Sequence, residues 1–231
     1  MRAALSGVSA PTTPEELLAR ARDLAGHNLR ELAEQQGMPL PDEPRRAKGY
    51  IGQLVERALG ANGTSRDVAD FPALGIELKT VPVDVRGQPR ESTFVCVLDL
   101  ARVADLEWER SRVKQKLERV LFVPIESGPS LVFAERRIGM PLLWSPNEWQ
   151  ARVLRADYEE IAGRIASGDT DGIRGTVGQA LQLRPKAAHS RMRTRVLDAD
   201  GAPASSLPRG FYLRASFTHE VLRAGFGRDV D

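Results

Sequence analysis

Apolar residues recur at helical spacing through the first part of the chain. Leu17, Leu18, Ala21, Leu24 and Ala25 form one stripe, headed by Thr13-Pro14-Glu15-Glu16, which offers an N-cap, a proline at the first helical position and a capping-box glutamate. Gly26 is expected to end this helix. A short second helix is expected from about Asn28 to Gln36, followed by a proline-rich loop from Gly37 to Pro44. From Arg45 a helix resumes, with Ile51, Leu54, Val55, Ala58 and Leu59 on one face and Gly60 closing it.

Beyond Gly60 the pattern changes to the two-residue spacing of strands. Residues 75 to 83 and 92 to 99 read as strands, and the turn residues of Asp84-Val85-Arg86-Gly87-Gln88-Pro89 between them predict a hairpin. Trp108 to Arg119 reads as a helix burying Val113, Leu117 and Val120, running into a strand from Val120 to Ile125, with another strand at Leu131 to Ile138. Ser145-Pro146-Asn147-Glu148 predicts a helix start with Ser145 as N-cap. Trp149, Val153, Ala156, Ile161 and Ile165 supply its apolar face through about Ala166. After a glycine-rich stretch, Leu181 to Ala187 reads as a strand ending at Pro185, and Leu207 to Arg214 as a strand with Phe211 and Leu213 on one face and Tyr212 on the other. A last helix lies near Leu222. The sum is a mixed α/β chain.

The stretch with chemistry in it is Asp70-Phe71-Pro72-Ala73-Leu74-Gly75-Ile76-Glu77-Leu78-Lys79. Strand alternation sends Ile76 and Leu78 to a core and puts Glu77 and Lys79 together on the other face. Pro72 and Gly75 bend the chain just before it, which brings Asp70 back toward that face. Two carboxylates with a lysine make an oxygen-rich site for a hard cation such as Mg²⁺, with an ammonium beside the water or phosphate it holds. On its own such a string also occurs as a solvated strand edge.

Composition narrows the class. At 231 residues the chain is one large domain, or one domain with two lobes, with 42% hydrophobic and 28% charged residues. No apolar run approaches the roughly 18 residues of a membrane span, and the first ten residues lack a secretory signal. The single cysteine, Cys96, sits in an apolar run and reads as core packing in a reducing, cytoplasmic protein. The 33 Lys and Arg nearly balance 31 Asp and Glu, for a net charge of +2. Coating nucleic acid by charge alone is excluded, so a DNA enzyme of this balance concentrates its basic groups on one face or is loaded by a partner. Only five of the 33 basic residues are lysines: Lys48, Lys79, Lys114, Lys116 and Lys186. His27, His189 and His219 are scattered without metal-ligand spacing. There is no phosphate-binding Gly-x-x-x-x-Gly-Lys-Ser/Thr loop, no Gly-x-Ser-x-Gly elbow and no internal repeat.

With Phe71-Pro72 after the Asp, and Thr80-Val81-Pro82-Val83-Asp84 then Thr93-Phe94-Val95-Cys96 after the Lys, the stretch resembles the nuclease core of the MutH mismatch-repair endonucleases. Lys48-Gly49-Tyr50-Ile51-Gly52, Leu142-Leu143-Trp144-Ser145-Pro146-Asn147-Glu148, Leu181-Gln182-Leu183-Arg184-Pro185-Lys186-Ala187 and Leu207-Pro208-Arg209-Gly210-Phe211-Tyr212-Leu213-Arg214 match the same family. The resemblance covers nearly the whole chain. Departures fall in the first ten residues, Asp99 to Glu107, the glycine-rich stretch, Arg191 to Ser206 and the tail.

The resemblance implies a restriction-endonuclease-like α/β core: a central mixed sheet flanked by helices, with two lobes forming a DNA-binding cleft. Residues 1–231 would be a single nuclease domain, with approximate lobes 1–105, holding the metal site, and 106–231, holding the recognition loops. Asp70 and Glu77 would bind Mg²⁺ with Glu56 in support, Lys79 would orient or deprotonate water, and Lys116 would stabilise the phosphate. Glu56 and Lys116 on their own read equally as a rim salt bridge and a solvated helix lysine. Lys48 and Gly49 would approach DNA, where a glycine at a helix start lets backbone near a phosphate.

On the recognition side, Arg184 would read GATC from the major groove, as an arginine does by bonding guanine O6 and N7. Pro185 would make an apolar contact and Lys186 a backbone contact, and Tyr212 would sense a methyl group on adenine. Phe94 reads as core by composition and as a DNA neighbour by resemblance. The implied activity is a nick 5′ to GATC in the unmethylated strand of hemimethylated DNA. The implied partners are double-stranded DNA and MutL, with MutS acting upstream, the enzyme itself being a monomer. The rival readings are a GATC restriction enzyme cutting both strands, against which the lack of a repeat argues, and a catalytically silent DNA-binding module.

Overall fold

The computed structural model describes residues 8–41, 49–65, 67–98, 107–167, 175, 177–186, 194–197, 203–206 and 208–227. In chain order the helices are α1 (Pro14–Asp23), α2 (Leu29–Gln36), α3 (Tyr50–Leu59), α4 (Arg112–Leu117), α5 (Glu148–Ala166) and α6 (Ala215–Gly225). The strands are β1 (Glu77–Val83), β2 (Thr93–Leu98), β3 (Val120–Glu126), β4 (Leu142–Trp144), β5 (Leu181–Pro185), β6 (Thr194–Leu197), β7 (Pro203–Ser206) and β8 (Arg209–Leu213). The chain divides into two compact units: Met1–Glu91 with Arg119–Trp144 and Leu222–Asp231, and Ser92–Glu118 with Ser145–Val221.

The first unit packs α1, α2 and α3 on a three-stranded sheet of order β1-β3-β4. β1 and β3 are parallel, from Glu77 opposite Val120 to Val83 opposite Glu126, and β3 is buried from Val120 to Ile125 as the central strand. Leu17, Leu29, Leu32, Leu54, Leu59, Phe71, Ile76, Leu121 and Val123 make the core between helices and sheet. The local signals of the sequence act largely as expected. Thr13 accepts from the Glu16 amide at 3.1 Å, although the Glu16 carboxylate bonds Thr12 rather than Thr13 and α1 ends at Asp23, before Gly26. Asn28 and Glu31 close a reciprocal capping box on α2. Gly60, at φ 76°, caps α3. The proposed helical run-in from Arg45 to Lys48 lies outside the described residues.

Two expectations fail here. The two expected strands form, as Glu77–Val83 and Thr93–Leu98, but not as a hairpin, because β1 pairs with β3 while β2 pairs with β8. The turn does form: Asp84 N–H donates to Gln88 O and Arg90 N–H to Pro82 O. Pro82 has no N–H to return the bond to Arg90, so pairing stops after one bridge, between Val83 and Pro89. Leu131 to Ile138 is not a strand either. Phe133–Glu135 is a 3₁₀ turn, anchored by Glu135 pairing Arg30 of α2 at 2.8 Å and by the Phe133 ring on Tyr50.

The second unit has an antiparallel sheet of order β2-β8-β5, with α5 packed against β5. Tyr158 of α5 fills its core between Trp108 and Phe211, with ring centroids 5.5 Å from each, and the lone Cys96 is buried there as expected. The expected helix from Trp108 is broken. Ser111 ends a 3₁₀ turn and caps α4 through the Lys114 amide, at 3.1 Å. α5 starts two residues later than expected, with Asn147 and Gln150 as the capping box. Its buried face is Leu154, Tyr158, Ile161 and Ala162, leaving Trp149 exposed. Within the stretch from Arg191 to Ser206, read as a loop, β6 and β7 form a two-stranded antiparallel ribbon. Among the described residues no helix is long and apolar enough to cross a membrane.

The Asp84 turn gives a pH prediction. The Gln88 and Arg86 amides donate to the Asp84 carboxylate at 3.0 and 2.9 Å and hold it below the usual carboxylate range. A depressed folded value means that the stabilisation is complete above the unfolded value near 3.8 and lost as pH falls through the folded one. Exchange protection of the Arg86 and Gln88 amides, corrected for intrinsic rates, should therefore hold above about pH 3.8 and decline below it. Asp84→Asn should remove that dependence.

Candidate active site

In the first unit the residues from Gly60 to Lys79 are tied into one compact turn. Gly60 turns the chain out of α3, and the amides of Asn62 and Gly63 both donate to the Asp70 carbonyl, at 3.1 and 3.0 Å. A side chain at position 63 would meet the Ala69 carbonyl at 2.5 Å, so only glycine permits this approach. Phe71 and Ile76 then exchange two backbone bonds around a 3₁₀ turn, Pro72–Leu74, with Gly75 left-handed at φ 63°. This tight reversal aims the Asp70 side chain at β1, where its Oδ2 accepts from the Leu78 amide at 2.8 Å. The return of Asp70 to the strand is thus present in the structure.

Glu77 and Lys79 share one face of β1, as the alternation required. Their side chains are 6% and 14% exposed, and Lys79 Nζ donates to Glu77 Oε1 at 2.6 Å. Glu56 lies on α3, its Oε1 3.7 Å from where a Cβ at Gly52 would sit, an ordinary contact. Among the described residues no three His, Cys, Asp or Glu side chains converge as a ready metal cluster. Two carboxylates belong to this strand and its approach, Asp70 bonded to the Leu78 amide and Glu77 to Lys79. That suits Mg²⁺, which keeps most of its waters and takes one or two carboxylates.

Gly49 caps α3 at φ 89° with open space where a Cβ would be, leaving its backbone approachable. Lys48 lies outside the described residues. Lys116, on α4 of the second unit, is only 6% exposed, which removes its reading as a solvated helix lysine.

The second unit gathers Phe94, Arg184, Lys186 and Tyr212 on one face of its sheet, while Pro185 alternates to the other. β8 runs between β2 and β5, so Tyr212 stands opposite Phe94 on one side and Gln182 on the other. A bulge between Phe94 and Cys96 lets β2 bury Cys96 beside Phe211 while Phe94 stays with Tyr212 on the opposite face. The two rings meet edge to face at 5.3 Å. Lys186 Nζ sits 3.0 Å from the Phe94 ring centre, and the Arg184 guanidinium lies over Tyr212 at 5.9 Å. Phe94 is half-buried in this stack, so its reading as a core residue is not met. Arg184 and Pro185 are exposed, and the Lys186 amide bonds the Pro208 carbonyl at 2.6 Å. Cation–aromatic contacts of this kind contribute about 0.5–2 kcal/mol and orient the cation.

Sequence reading missed two supports of this face. Gln182, 6% exposed, donates to Ser92 Oγ at 2.6 Å, and so fixes a polar side chain directly beside Tyr212. Gly210 leaves the space that the rings occupy: a Cβ there would lie 2.9 Å from Phe94 and 3.4 Å from Tyr212. A strand interior glycine is the available signal for such close approach.

Comparison with known proteins extends this geometry. The family profile described as DNA mismatch repair enzyme MutH matches residues 59–157. The DNA mismatch repair protein MutH of Enterobacter sp. (strain 638) is 48% identical over 218 residues, covering 94% of this chain and 95% of that protein. The MutH protein of Salmonella paratyphi C is 49% identical over 216 residues, 94% of each chain. That of Vibrio parahaemolyticus is 47% identical over 212 residues, 92% of this chain and 94% of its own.

Gly210 makes the aromatic–cation stack testable without reference to activity. Its φ is not positive, so alanine meets no backbone strain and only the crowding acts. Gly210→Ala should lower stability by about 1–3 kcal/mol in urea unfolding and alter the aromatic circular dichroism. Unchanged stability would mean that the rings yield freely.

Proposed function

The chain belongs to the MutH family of DNA mismatch repair enzymes, and from that premise we propose a methylation-directed, Mg²⁺-dependent nick at GATC. As a member it is an endodeoxyribonuclease acting in mismatch repair. What carries the finer reading is the Asp70 carboxylate bonded to the Leu78 amide on the strand that holds the buried Glu77–Lys79 pair.

Asp70 and Glu77 would hold the metal. Bound there, the metal supplies a Lewis acid that lowers the pKa of water and stabilises charge on the phosphate. Lys79, fixed on Glu77, orients the attacking water or takes its proton. Lys116 stabilises the phosphate, and Glu56 supports the carboxylates from α3. Lys48 and Gly49 approach the DNA backbone. Arg184 reads guanine in GATC, Pro185 makes an apolar contact, Lys186 meets the DNA backbone and Phe94 lies against the DNA. Tyr212 senses the methyl group: N6-methylation adds bulk beside a ring already confined by Phe94 and Gln182, so a methylated adenine is excluded from that position.

In this reading residues 1–231 work as one restriction-endonuclease-like nuclease domain, in which two lobes, 1–105 with the metal site and 106–231 with the recognition loops, form a DNA-binding cleft. The enzyme is cytoplasmic and monomeric. A net charge of only +2 gives weak DNA affinity unaided, which fits activation by MutL after mismatch detection by MutS.

The test is cleavage of a hemimethylated GATC duplex with each strand separately end-labelled, with Mg²⁺ and with or without MutL. A nick confined to the unmethylated strand and stimulated by MutL is expected. Cutting of both strands would make the protein a restriction enzyme. Lys79→Ala should reduce cleavage by at least about 10²-fold while leaving DNA binding by mobility shift intact. Binding without cleavage by the unaltered protein would leave only a recognition module.

A further inference from the structure

Asp157 is a buried carboxylate that the proposed chemistry does not use. It lies on α5 at 6% exposure, and among the described residues its partners are backbone amides at the head of β5. Oδ1 accepts from Gln179 N–H at 2.9 Å, and Oδ2 accepts from the N–H groups of Gln179, Ala180 and Leu181 at 2.9, 2.6 and 2.8 Å. Arg214, just past β8, holds the carbonyls of the same segment. Its Nε donates to Gly178 O at 2.8 Å, and Nη2 to Gly175 O and Val177 O at 2.8 and 2.9 Å. Its own amide donates to Ala180 O at 2.8 Å. Gly178, at φ 85°, cannot be replaced, since a Cβ would strike the Leu181 carbonyl and crowd Asp157.

A carboxylate that takes every amide at a strand's entry, paired with a guanidinium that takes the carbonyls, fixes where that strand begins. We propose that Asp157 and Arg214 are positioning residues that set the register of β5 against β8, and through it sequence discrimination by Arg184 and Tyr212. The inference rests on the recognition roles proposed above. β5 is the edge strand of its sheet, and its pairing with β8 contains no bulge to lock it. Side-chain alternation guards against a slip of one residue, which would turn Arg184 to the core and Leu183 outward. It offers no guard against a slip of two, which keeps every side chain on its own face and simply puts one of Leu181 and Leu183 where the other was. That slip would move Arg184 by about 7 Å along the sheet, or about two base steps of DNA. The clamp at Gln179–Leu181 forbids it.

The experiment compares Asp157→Asn and Arg214→Lys with the unaltered enzyme, in nicking GATC duplexes and duplexes with one base pair of the site changed. A register role predicts that KM for GATC rises, kcat changes little, and the preference for GATC over each altered site falls about tenfold, the scale of one bidentate base contact. Lowered Tm with the preference intact in both variants would make the clamp merely structural and overturn the proposal. Should Asp157→Asn not fold, Arg214→Lys decides by the same ratio, since it keeps the charge but cannot span three carbonyls. The unaltered enzyme separates this failure from that of the wider reading. If it shows no preference for GATC, the recognition roles fall; if it does and the variants keep the preference, only the register role falls.

Discussion

The carboxylate site depends on one hydrogen bond, from the Leu78 amide to Asp70 Oδ2. Asp70 is seven residues before Glu77 in the chain, and without that bond nothing in the alternation of β1 would hold it near the strand. The bond is prepared from both sides. Asn62 and Gly63 fix the Asp70 carbonyl, and the Phe71–Ile76 reversal fixes its distance from the strand. Each is a backbone interaction, so the main chain itself fixes where the Asp70 side chain lies. Preorganisation of this kind is how a site keeps its geometry when substrate arrives.

The aromatic–cation face of the second unit follows a different plan. Its residues come from three strands, and their side chains hold one another: lysine on phenylalanine, phenylalanine on tyrosine, arginine over tyrosine. Side chains order this face, where the main chain orders the carboxylate turn.

Much of this was legible in the sequence because the signals were local. Thr13 and Gly60 are helix punctuation, the Glu77–Lys79 face follows from alternation, and Pro72 with Gly75 announced the bend that returns Asp70. Phe211 and Leu213 against Tyr212 were separable for the same reason. The errors arose where distant partners decide. The hairpin was written in the turn residues, but Pro82 withheld one N–H and β3 took the strand. Ser145 was expected to cap α5; the pairing of Trp144 with Val120 keeps the chain extended past Ser145, so Asn147 does it. Asp157 could not be found at all. A charged residue on a helix reads as solvated, and its amide partners lie 22 to 24 residues away.

The burial of the Glu77–Lys79 pair has a consequence for how ionic strength acts. Contacts with DNA phosphates weaken steeply as salt rises, because bound counterions are released on association. An ion pair with side chains 6% and 14% exposed is largely shielded from the same ions. In the proposed mechanism salt therefore acts on the grip and spares the blade: rising ionic strength would empty the enzyme of substrate, while each enzyme still loaded would keep its cutting rate.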